Sequence, residues 1–91
     1  MVDPILFCAL AYATFLEFAD HFSNPAFYEQ NVDAAMYVSE MAGDITDRLM
    51  ACGRYEREIA LLARIGRQAA GQAHKLEDQA AHTRTPLRQY D

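Results

Sequence analysis

Several things are scarce in this chain. Four glycines and three prolines in 91 residues leave few places for turns, so the elements are long and uninterrupted. Valine and threonine are few and alanine is abundant, a helical rather than a strand composition. Two cysteines, Cys8 and Cys52, are too few for a disulfide framework and fit a reducing compartment. Basic side chains are nearly missing from residues 1–50, where Arg48 stands alone against eight acids. With a net charge of −5, the chain lacks the basic surface that direct nucleic-acid binding needs. Glycine-rich phosphate loops are absent, and Ser23 and Ser39 have no His and Asp at useful spacing. The expectation is a protein that is not an enzyme and carries no cofactor.

What is present points to one domain over residues 1–82. Hydrophobic residues make up 52% and charged residues 23% of the chain, as in a globular protein. Asp3-Pro4 opens a helix over about 4–22, with Asp as N-cap and Pro at the first helical position. Asn24-Pro25 reads the same way and predicts a second helix over 25–52. Gly53 supplies the left-handed residue that ends it. A third helix is predicted over 54–82, with Pro86 forbidding continuation and 83–91 left as a flexible tail.

The apolar positions Tyr28, Val32, Ala35, Val38, Ala42, Ile45, Leu49 and Cys52 step by threes and fours. In the third helix Tyr55, Ile59, Leu62, Gly66, Ala69, Ala73, Leu76 and Ala80 form a heptad-like seam with a Gly/Ala middle, suited to close antiparallel pairing. The fold class is therefore all-α: a three-helix bundle built on a long antiparallel helical hairpin and completed by self-association.

Two arguments lead to self-association. The first helix is apolar all round from Ile5 to Ala13, and two neighbours cannot cover every side of it. Register supplies the second. Folding back directly at Ser23, a 19-residue helix of about 29 Å reaches only as far as Gly43 and leaves the hairpin tip bare. Ile45, Leu49, Tyr55, Ile59 and Leu62 then form an apolar strip that a second copy, in a dimer, or a target would cover. The same register sets Cys8 level with Ser39, far from Cys52, so no intrachain disulfide is expected.

The charge pattern gives a partner surface. Glu29, Asp33, Glu40, Asp44 and Asp47 share the outer face of the second helix at about 100° per residue. Arg57, Arg64, Arg67 and Lys75 share that of the third. Like charges at this spacing repel unless something basic approaches, which suggests a protein partner with a basic surface, or the basic stripe of the third helix in a neighbouring copy; a solubilising face is the plainer reading. Met36, Tyr37 and Met41 lie beside the acids and are read as packing on the first helix, with apolar anchoring of a partner as the second reading.

Metal sites have weak support. Glu17, Asp20 and His21 with Glu29 and Asp33, or His74, Asp78 and His82 at i, i+4 and i+8, have ligand chemistry but read as polar faces; no metal is expected. The apolar stretch 4–16 lacks a basic flank and is short of the roughly 20 residues of a membrane span, so the chain is read as cytoplasmic, with no membrane contact. The functional expectation is a small helical regulator or inhibitor acting through an apolar surface and an acidic face. A structural subunit of an assembly, and a metal- or small-ligand-binding bundle, are the alternatives.

Overall fold

The computed structural model describes residues 3–88, with side chains over 3–82. Three helices run in order: α1 (Pro4–Phe22), α2 (Val32–Cys52) and α3 (Glu56–Arg88), with a 3-10 turn at Pro25–Phe27 between the first two. The chain is all-α, and no strand occurs among the described residues.

The caps explain most boundaries. Asp3 accepts a hydrogen bond from the Ile5 N–H at 3.0 Å and starts α1. At Gly53, φ of 75° and a bond from its N–H to the Met50 carbonyl close α2; only glycine adopts that conformation without cost. Arg54 and Tyr55 are non-helical, so α3 begins at Glu56, two residues later than expected. It continues through Pro86 to Arg88. A proline so near a helix end removes one terminal hydrogen bond and does not stop the last turn. The predicted tail is thus helical as far as 88, and 89–91 lie outside the described residues.

The largest departure from expectation lies between α1 and α2. Asn24-Pro25 opens the 3-10 turn alone, with Asn24 Oδ1 accepting from the Ala26 N–H at 3.0 Å. Tyr28 then turns inward and is buried. A second asparagine, Asn31, caps α2 by accepting from the Ala34 N–H at 3.1 Å. The connection is therefore nine residues long, and α1 sits farther along the hairpin than a direct fold-back at Ser23 allows.

That shift reverses two expectations. Cys8 and Cys52 form a disulfide, with their Cα atoms 6.0 Å apart. The hairpin tip is not bare: Tyr12 of α1 stacks on Tyr55, ring centroids 5.2 Å apart. Ile45, Leu49 and Leu62 are fully buried in the chain's own core, and Tyr55 and Ile59 are half-buried against it. These five residues therefore do not form a bare strip within the chain: three lie in its own core and two are half-buried against it.

The rest of the core follows the predicted periodicity in α2, and in α3 at Leu62, Ala69 and Ala73; Ile65 is buried although it lies outside the predicted seam, and Ala80 is exposed although it lies in it. Ala35, Val38, Ala42, Ile45 and Leu49 of α2 face Leu62, Ile65, Ala69 and Ala73 of α3, with Ala11, Phe15 and Phe18 of α1 on one side. Gly66 lets α2 and α3 close up: a Cβ there would sit 3.3 Å from the Ala42 Cβ. The molecule is long, 62 × 26 × 16 Å with a radius of gyration of 17.0 Å, against about 12 Å for a compact chain of this length. At 33 residues, α3 spans about 50 Å, whereas α2, at 21 residues, spans about 32 Å. Gln72 donates to the Glu29 carbonyl at 2.7 Å where α3 passes the turn. Beyond Leu76 its described side chains are exposed.

Candidate interaction surfaces

Helical geometry sorts the residues of α2 cleanly. Its buried side chains lie on one face, and Asp33, Glu40, Asp44 and Asp47 lie opposite them, all exposed. Glu29 precedes α2, in the turn, and is exposed there; it stands at the end of the stripe, off the helix. Asp44 pairs with Arg48 at 2.9 Å, four residues on and equally exposed, a contact of little energetic weight. Arg57, Arg64, Arg67 and Lys75 are exposed on the side of α3 away from the core. The ion pairs among the described residues are Asp44–Arg48 and His74–Asp78, so the acidic stripe of α2 and the basic stripe of α3 do not neutralise each other within one chain.

Large apolar side chains share the acidic face. Met36, Tyr37 and Met50 are all exposed, whereas Met41 is half-buried against the core. Of the three side chains expected to pack on α1, Met41 packs against the core, Tyr37 borders α1 while staying exposed, and Met36 borders α3 instead. Tyr37 lines an open groove of about 330 Å³ between α1 and α2, with Glu17, His21 and Met41. Met36 and Glu40 line another of about 310 Å³ against Ala70, Ala73, His74 and Glu77 of α3. Met50, near the hairpin tip, has a helical angle close to those of Met36 and Asp47 and so borders the acidic arc.

The metal candidates are differently employed. The His21 ring stacks on Phe27 at 4.3 Å and meets Phe22 edge-on at 4.8 Å, closing the turn end of α1. His74 Nε2 lies 3.6 Å from Asp78 Oδ2, both side chains mostly exposed. Among the described residues no group of three or more His, Cys, Asp or Glu is placed to hold a metal. Burial without a charged partner raises the Tyr28 phenol above its ordinary value.

α1 presents the second surface. Ala11, Phe15 and Phe18 are its buried residues, and Ile5, Leu6, Leu10 and Leu16 stand exposed on the other side. At 19 residues it is long and apolar enough to cross a membrane by length and composition, more so than the stretch 4–16 suggested. No protein-family model, curated protein or solved structure matches this chain.

Proposed function

We propose that this chain is a non-enzymatic interaction protein that regulates or inhibits another macromolecule by occupying a basic surface on it with the outer face of α2. One observation carries the reading: Met36, Tyr37 and Met50 are exposed along the edges of the arc that Asp33, Glu40, Asp44 and Asp47 form. A face that serves only solubility has no need of three large apolar side chains. Met36 and Met50 stand on one edge of the acidic arc and Tyr37 on the other, so apolar contacts on both flanks would hold a partner whose basic groups meet the acids between them. The acids steer the encounter and make it sensitive to salt, while the apolar side chains supply affinity once water is displaced.

The Cys8–Cys52 bond supports an oxidising working environment, in place of the reducing, cytoplasmic one suggested by the cysteine count.

The test is capture of a partner by immobilised protein, comparing the native chain with Asp33→Lys/Glu40→Lys/Asp44→Lys and with Met36→Ser/Tyr37→Ser. The charge variant loses the partner at low salt, and the apolar variant weakens capture at every salt concentration. Both keep native helicity, since the altered side chains are exposed. A partner captured equally by all three proteins would remove the α2 face from the account.

A further inference from the structure

Each of the two charged faces is strained by its own like charges. Along α3 no acid stands three or four residues from Arg57, Arg64 or Arg67, while Arg64 and Arg67 are three apart. Along α2, Glu40 has Asp44 four residues on, and Asp47 follows three later. Like charges at these spacings destabilise a helix. Arg48 relieves Asp44. Asp33, Glu40 and Asp47 of α2, and Arg57, Arg64, Arg67 and Lys75 of α3, take part in none of the ion pairs among the described residues. Because α2 and α3 face each other across the core, their outer stripes point away from one another and cannot meet within one chain.

We infer that the basic stripe of α3 in a second copy of this chain occupies the acidic face of α2. The inference rests on the assignment of that face to a basic partner, and it names one such surface. An outside target has to displace the second copy to reach the same acids.

Spacing is the first argument. At 1.5 Å per residue, Asp33, Glu40 and Asp44 stand at about 0, 10.5 and 16.5 Å along α2. Arg57, Arg64 and Arg67 stand at about 0, 10.5 and 15 Å along α3. Laid side by side in the same direction, three pairs come level to within about 1.5 Å. The match survives reversal of one helix, when Asp44, Glu40 and Asp33 come level with Arg64, Arg67 and Lys75 to within about 1.5 Å.

The shape of the α3 face is the second argument. Ala60 and Gly71 are exposed within the basic arc, and their small size lets another helix approach. The aliphatic stems of the arginines offer apolar surface to Met36, Tyr37 and Met50 along the edges of the acidic arc. Since the two stripes lie on opposite sides of the molecule, one pair of copies cannot match both at once. Each copy gives its α2 face to one neighbour and its α3 face to another, so assembly continues past the dimer.

The experiment is analytical ultracentrifugation of the full oxidised chain over a wide concentration range, at about 50 and 500 mM salt. The native chain forms species larger than a dimer at low salt, and high salt weakens their association at least about tenfold. Two charge-reversed chains run alongside: Asp33→Lys/Glu40→Lys/Asp44→Lys, and Arg57→Glu/Arg64→Glu/Arg67→Glu. All six side chains are exposed, and circular dichroism checks that helicity is kept. Each variant alone is monomeric at low salt. Mixed in equal amounts they associate again, because one carries bases on both faces and the other acids on both. The milder Arg64→Gln/Arg67→Gln weakens native association about two- to tenfold.

A native chain that stays monomeric at low salt, or an assembly indifferent to salt, would overturn the proposal. So would variants that lose association singly and fail to regain it when mixed. The α3 variant also separates the two claims on the α2 face: it abolishes self-assembly while leaving the acids free, so it still captures an outside partner. Failed capture by that variant counts against the outside partner alone, and native chains that do not assemble count against the second copy alone.

Discussion

Removing the Cys8–Cys52 bond is the perturbation whose size follows most directly from the structure. The bond joins residues 44 apart in sequence. Closing a loop of that length in the unfolded chain removes conformational entropy worth about 4 kcal/mol in the chain-entropy model. Domains of this size have a total stability of about 5–15 kcal/mol, so the bond is a large share of the whole. No residue of α1 before Ala11 is fully buried, and Cys8 is the only described one before it that is even half-buried. The bond is thus also what holds the first two turns of α1 to the hairpin tip. The assay is urea unfolding followed by circular dichroism, comparing the oxidised chain with Cys8→Ala/Cys52→Ala at one fixed protein concentration. With a denaturant slope of about 1–1.5 kcal/mol per molar urea for a small domain, the midpoint falls by about 3 M. Amides in the first two turns of α1 lose hydrogen-exchange protection before the rest of the molecule does. A midpoint shift below about 0.5 M, equivalent to less than about 1 kcal/mol, would refute the reasoning, because a closed loop of this length cannot contribute so little without compensating strain.

The glycines give a graded series. Gly43 and Gly71 lie within helices with open space around their Cα atoms, so Gly43→Ala and Gly71→Ala each stabilise by about 0.5–1 kcal/mol. Gly66→Ala gains less, since its Cβ meets Ala42 at 3.3 Å; equal melting-temperature gains at positions 66 and 71 would contradict the close approach of α2 and α3. Tyr28 gives a pH signature. Burial raises its pKa above the ordinary 10.0, so the folded state holds the phenol proton more tightly than the unfolded chain. The resulting stability is fully present below pH about 10 and is lost as pH rises through the folded value. Tyr28→Phe removes that dependence, and native and variant stability curves that run parallel above pH about 10 would show that the phenol is not buried.

Much of the fold is legible in the sequence because caps and periodicity are local. Asp3-Pro4, Gly53 and the threes and fours of Val38, Ala42, Ile45 and Leu49 fix which segments are helical and which face is inside. The acidic face of α2 is legible for the same reason, as Asp33, Glu40, Asp44 and Asp47 fall within one arc at about 100° per residue. The course of the chain between α1 and α2 was not. Asn24-Pro25 and Asn31-Val32 are both plausible helix starts, and local propensity does not choose between one turn and several. The choice sets the register of α1, and several outcomes depend on that register together: burial of Ile45, Leu49 and Leu62, the stacking of Tyr12 on Tyr55, and the pairing of Cys8 with Cys52. Exposure of Met36 and Tyr37 was hidden likewise, since it depends on where α1 crosses α2, a matter of tertiary packing.

The register of α1 against the hairpin tip underlies both surfaces, because it decides which apolar residues the chain covers for itself. Nuclear Overhauser contacts of the Tyr12 ring measure it most directly. With ring centroids 5.2 Å apart, Tyr12 shows strong cross-peaks to the Tyr55 ring. A Tyr12 ring silent toward Tyr55 and in contact with Ala35 and its neighbours would mean that α1 folds back directly at Ser23. The tip would then be bare, and the account of which faces remain for partners would be wrong.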